Sequence, residues 1–174
     1  MACAIINGIQ HDCLDALGGV SEIYITEWAN VPQANITSAS GAISAMTCST
    51  GKKFWIFSLE KEESDFKQNA VKSVENNSIY FEQTLTFPMK KMSAANRNAL
   101  HLLLKNRLMV IVKDSNGSYQ LMGEVNAAHV TAAEGGTGKM LGDKNGYAIT
   151  IVGKEPNPAN FVASNLLATL TVAA

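Results

Sequence analysis

The residues able to ligate a metal or act as nucleophiles are few in this chain and stand apart: Cys3, Cys13 and Cys48, with His11, His101 and His129. His11-Asp12-Cys13 sets three ligand types in a row. A structural zinc site wants four, usually as two close pairs. Cys3, Cys48 and His129 would have to converge on that tripeptide from distant positions, and no C-x-x-C spacing asks for it. Nucleophilic catalysis needs a Cys or Ser beside a His that an acid orients, and the spacing supplies no such group. Gly135-Gly-Thr-Gly-Lys139 approaches a phosphate-binding loop, which reads Gly, four residues, then Gly-Lys-Ser/Thr. Ala133 stands at its first glycine position and Met140 at its hydroxyl position. The acidic run Glu60, Glu62, Glu63 and Asp65 has the oxygens for a divalent cation, but it reads more simply as a solvated hairpin tip. We therefore expect no enzyme, no cofactor and no metal, and isolated reduced thiols in place of disulfides.

Composition points the same way. The chain has 174 residues, one domain's worth, with 47% apolar and 17% charged residues. The charge is below the roughly 25% usual for a soluble domain, which suits a surface partly covered by other subunits. A net charge of −1 offers neither the basic patch of a nucleic-acid binder nor a polybasic membrane anchor. No apolar run reaches the ~20 residues that span a bilayer. The N-terminus lacks the basic and apolar regions of a secretory signal, so synthesis and folding in a cytoplasm are expected.

The elements that must carry these residues are mostly strands. Val20–Trp28 and Lys52–Lys61 read as strands, with small-residue sequence between them at 33–51. Residues 66–74 are expected to pair with Lys52–Lys61 in a long hairpin whose polar tip projects beyond the core. Residues 79–90 alternate, with Ile79, Phe81, Leu85 and Phe87 on one face and Tyr80, Glu82, Thr84 and Thr86 on the other. A helix is expected over 93–106, with Ser93 as its N-cap and Ala95, Ala99, Leu102 and Leu103 as its apolar stripe, widened by Leu100 and Leu104. A hairpin follows, turning at Asn116-Gly117 with both residues at positive φ. Residues 133–146 read as a glycine-rich loop and Tyr147–Val152 as a strand ended by Pro156 and Pro158. The apolar tail from Phe161 either packs on its own domain or forms an arm that docks on a neighbour.

Three segments carry a resemblance. Cys13-Leu-Asp-Ala-Leu-Gly-Gly-Val-Ser-Glu-Ile-Tyr-Ile, the strand–helix–hairpin centre, and Gly138-Lys-Met-Leu-Gly-Asp-Lys-Asn-Gly-Tyr-Ala-Ile-Thr-Ile-Val-Gly-Lys-Glu-Pro resemble structural tail proteins of tailed bacteriophages. The likeness is nearest to those of Bacteroidetes-infecting, crAss-like phages and covers roughly residues 12–160. It implies an α+β, mainly antiparallel β fold of tail-tube type: a β-sandwich or barrel with one flanking helix, a projecting hairpin and terminal arms (1–17 and 159–174). It also implies a virion protein, assembled in the host cytoplasm into rings of six or twelve subunits. Such rings contact other tail or connector proteins and line a channel through which DNA passes. A head–tail connector of the same virion is the near alternative, and a monomeric β-sandwich module binding a glycan or peptide the distant one. The family has no catalytic residues to transfer. For the ring contacts we expect Glu60, Glu62, Glu63, Asp65 and Phe66 of the hairpin, and Phe161, Val162, Leu166, Leu167 and Leu170 of the tail.

Overall fold

A computed structural model of the chain describes Gly8 and residues 16–172. It is mainly antiparallel β, an open α+β sheet with two helices among the described residues. The elements run β1 (Val20–Glu27), β2 (Ile36–Ala39), β3 (Ala42–Met46), β4 (Phe54–Ser58), β5 (Asp65–Ser73), β6 (Ser78–Lys90) and α1 (Ala94–Lys105). They continue β7 (Leu108–Asp114), β8 (Tyr119–Met122), β9 (Ala128–Gly136), β10 (Gly146–Glu155), β11 (Asn160–Val162), α2 (Ser164–Leu170) and β12 (Thr171–Val172).

β7 is the hub. It pairs along its length with β1 on one edge (Ile23↔Val112, Ile25↔Val110) and with β8 on the other (Ile111↔Leu121). A single bridge, Leu108↔Ala128, carries the sheet on to β9, β10, β6 and β5. Beyond β8 lie β11, β3 and β2, and beyond β1 lie β4 and β12. Because successive side chains of a strand point to opposite faces, β1 and β7 serve two cores at once. Ile23, Ile25, Val110 and Val112 join Leu85, Phe87, Ile149, Ile151, Leu100 and Leu103 in one. Tyr24, Met109 and Ile111 join Ile43, Met46, Phe54, Leu121, Val162, Leu167 and Leu170 in the other.

Several expectations hold in detail. Ser93 caps α1, its Oγ accepting the Asn96 N–H at 3.2 Å. Residues 66–73 are extended, within β5, and the alternation of 79–90 is that of β6, the longest strand among those described. Pro88 sits two residues past the last β5 pair, Asp65↔Thr86, so its missing N–H breaks no bond to that strand.

Others are corrected. β5 pairs with β6 in register Ser73↔Ser78, so the hairpin turns at Val74–Asn77 with Asn77 at φ +48°. The residues around Lys52–Lys61 instead supply β4, which pairs with β1 and β12. The expected partner of 66–74 was Lys52–Lys61; the long alternating strand β6 takes its place because every β5 residue finds a register partner on it. The stripe of α1 is rotated: Leu100 and Leu103 are buried with Ala99 beside them, while Leu102 and Ala95 face solvent. At the β7–β8 turn only Gly117 has positive φ (+82°) of the Asn116-Gly117 pair. The Asp114 carboxylate accepts the N–H groups of Asn116 and Ser118 at 2.9 and 2.8 Å, and Gly117 N–H donates to Asp114 O. That closes a type I turn followed by a left-handed glycine. β9 extends to Gly136, which leaves 137–145 as the loop. Finally, the apolar tail forms a second helix, α2, packed on its own domain.

Candidate subunit interface

Among the described residues, β2 and β5 stand at the two ends of the main strand order, each paired along one edge only. Such an edge is a row of backbone donors and acceptors open to another chain. β5 is the larger, nine residues long, and its outward-facing side chains are largely exposed. Phe66 is the inward exception, packed against the first core. Gln68 ties β5 across the open end of the sheet: its Nε2 donates to Gln120 Oε1 of β8 at 2.8 Å, and its Oε1 accepts the Ala159 N–H at 2.9 Å.

The acidic residues lie in the β4–β5 connection. Glu60, Glu62 and Glu63 are exposed, and Glu62 adopts left-handed φ (+63°) where the chain reverses. Glu63 reaches Lys90 at 3.1 Å, and Asp65, the first residue of β5, meets Lys67 at 2.5 Å. Pairs this exposed contribute little to stability, so the segment is a solvated charged rim beside the β5 edge. The five tail residues divide differently. Val162, Leu167 and Leu170 are buried in the chain's own second core, holding β11 and α2 against β3 and β4. Leu166 is half-buried against the same core, and Phe161 is half exposed. The N-terminal arm, 1–17, falls outside the described residues except for Gly8, Ala16 and Leu17. Leu17 is clamped by Asn116, which accepts its N–H and donates to its carbonyl.

A polar cluster that residue spacing alone did not single out closes the end of the first core. Gln83 and Glu155, on the inner faces of β6 and β10, are buried. Gln83 Oε1 accepts the Gly123 N–H at 3.3 Å, and its Nε2 has no partner among the described residues. The Glu155 carboxylate accepts N–H groups of Val125 (3.2 Å) and Asn126 (2.9 Å) in the β8–β9 loop. Burial raises its pKa, the two loop N–H groups lower it, and neighbouring Glu124 raises it, with a net upward shift. Both oxygens being engaged, Glu155 anchors the corner at which the sheet passes from β7 to β9. An alternation count could have found it: Glu155 continues the inward series Ile149, Ile151, Gly153.

The remaining chemistry-bearing residues stay apart. His101 and His129 are exposed on α1 and β9, while Cys48 is half-buried and its thiol pKa is pushed up by burial. His11, Asp12, Cys13 and Cys3 lie outside the described residues. Among the described residues no three His, Cys, Asp or Glu side chains gather as a metal-binding group. The glycine-rich loop is closed on itself: Asp143 Oδ2 accepts the N–H groups of Lys139 and Met140 at 2.7 and 2.8 Å. Those bonds hold the Asp143 pKa low and occupy the amides that a phosphate would need.

An apolar groove of about 500 Å³ runs between α1 and the β1–β4 pair, lined by Ile25, Trp55, Ile56, Ala99, Leu102 and Leu108 with Glu27 at its rim. Comparison with protein-family models, with curated proteins and with solved structures finds no match to this chain.

Proposed function

We propose that this protein is a virion structural protein that assembles head to tail into rings of the tail-tube or tail-ring kind, with DNA passing through the ring. The observation that carries the reading is the pair of unpartnered strand edges, β5 at one end of the main strand order and β2 at the other. Two different edges on one chain favour a heterologous contact, which propagates from copy to copy and closes when the rotation allows. The charged rim of Glu60, Glu62, Glu63 and Asp65 stands beside β5, and Phe161 is exposed two strands in from β2, on β11. Exposed and near these edges, both support that reading. Low overall charge supports the reading as well, since a lumen without basic clusters would not hold each passing phosphate.

Native mass spectrometry and negative-stain microscopy over a wide concentration range test it. Closed rings of uniform subunit number are expected. A chain that remains strictly monomeric at the highest concentrations overturns the proposal.

A further inference from the structure

The loop from 137 to 145 presents two large apolar side chains to solvent: Met140 is 77% exposed and Leu141 fully so, at 109%. Such a tip is costly to leave bare, yet the loop is built to hold its shape. Asp143 accepts two of its amide hydrogens and returns its own N–H to Met140 O at 3.1 Å. Gly138 has φ +71°, and a Cβ there would lie 2.2 Å from Asp143 Cβ, so this turn requires glycine. At the base, Asn145 accepts the N–H groups of Lys91 and Met92 through its carbonyl and side-chain oxygens. Lys139 and Lys144 flank the tip.

The groove beside α1 is the complement of that tip. Trp55 and Leu102 line it while 58% and 60% exposed. Glu27 is the one charged residue among those lining it. Its volume of about 500 Å³ lies within the roughly 300–1,000 Å³ of pockets that enclose a small ligand, ample for two side chains. Met140 and Leu141 do not fill it within their own chain.

We propose that the Met140–Leu141 tip of one copy seats in the α1–β4 groove of the next, with Lys139 or Lys144 meeting Glu27. Tip and groove are different surfaces, so the contact is heterologous and propagates. It deepens the self-assembly reading and rests on it, adding a side-chain knob to the backbone edges.

Sedimentation velocity on the full chain tests the contact with a tip variant (Met140→Ser with Leu141→Ser) and a groove variant (Leu102→Glu). All three side chains changed are exposed, so circular dichroism and melting should match the parent. Each variant alone should self-associate at least tenfold more weakly than the parent. Mixed, they retain one sound tip and one sound groove between them and should form a 1:1 pair that grows no further. Gly138→Val, which distorts the turn without touching the tip, should weaken assembly like the tip variant. Charge reversal adds a second readout: Glu27→Lys should weaken association, and Lys139→Glu with Lys144→Glu in the partner should restore it. If the tip and groove variants assemble as the parent does, this contact is wrong and the ring reading stands. If the parent itself stays monomeric, both are wrong.

Discussion

β7 and β5 are strands of similar length in one sheet, yet they occupy opposite thermodynamic positions. β7 is paired on both edges and its first five residues, Leu108–Val112, are buried on both faces. β5 has one partner, and apart from Phe66, Val71 and Ser73 its side chains are exposed. Both obey the same backbone geometry. What separates them is how much apolar area each takes out of water, at roughly 25 cal/mol per Å². The fold is therefore held at β7, while β5 is left free to offer its edge to another chain.

The comparison can be broken most directly by truncating matched residues. Ile111→Ala, in the second core, should cost about 2–5 kcal/mol, because its close-packed surroundings collapse little into the space. Val71→Ala, at a half-buried position of β5, should cost less than about 1 kcal/mol. Urea unfolding monitored by tryptophan fluorescence measures both, and similar costs would refute the division between the strands.

Next in size is the corner that joins the two parts of the sheet. Gly123 sits at φ +76°, where an added Cβ would meet Ala128 N at 2.7 Å and Leu108 O at 2.9 Å. These are backbone atoms of the Leu108↔Ala128 bridge, so neither can swing aside. Gly123→Ala should destabilise by about 1–3 kcal/mol. Hydrogen exchange should show opening concentrated at the starts of β7 and β9. Uniform protection across β7 to β10 in that variant would mean that the bridge is not a weak joint.

A smaller effect is expected where the comparison is sharpest. Asn69→Lys with Ala70→Lys on β5 should change stability by no more than about 0.5 kcal/mol while abolishing ring formation, because charge on an edge strand blocks edge pairing. Unaltered rings in the microscope would remove β5 from the interface.

The smallest effect is a pH slope from two glutamates shifted in opposite directions. Burial raises Glu155 above its ordinary 4.5, so the folded chain holds that proton more tightly than the unfolded one. Its contribution to stability is full below about pH 4.5 and is lost as pH rises through the raised value. Glu22 is lowered by hydrogen bonds from Tyr24 at 2.6 Å and Lys113 at 3.1 Å, so its contribution is present above 4.5 and lost as pH falls through the lowered value. Glu155→Gln should flatten the decline on the neutral side, and Glu22→Gln the decline on the acid side. Melting temperatures measured between about pH 3 and 8 report both. Matching slopes in parent and variants would show that neither carboxyl differs between folded and unfolded chains.

Local rules settled much of this protein before any contact between distant segments was known. Alternation marked β1 and β6, Ser93 marked the start of α1, and Asn116-Gly117 marked the turn after β7, since each is a signal carried within a few residues. Which strands pair was not local. Residues 66–74 suit either neighbour in sequence, and the choice of β6 was made by register over the whole strand. The orientation of α1 was also decided from outside, because Leu100, Leu102, Leu103 and Leu104 read alike until a sheet buries one side. The tail was the clearest case. Its apolar composition fits an arm or a core element equally, and only the second core, with room for Val162, Leu167 and Leu170 over β3 and β4, turned 164–170 into a helix on its own domain. The buried pair Gln83 and Glu155 likewise became legible when β6 and β10 faced the β8–β9 loop. Burial and partnership are properties of the assembled sheet, and a sequence states the side chains available for them without stating which ones will meet.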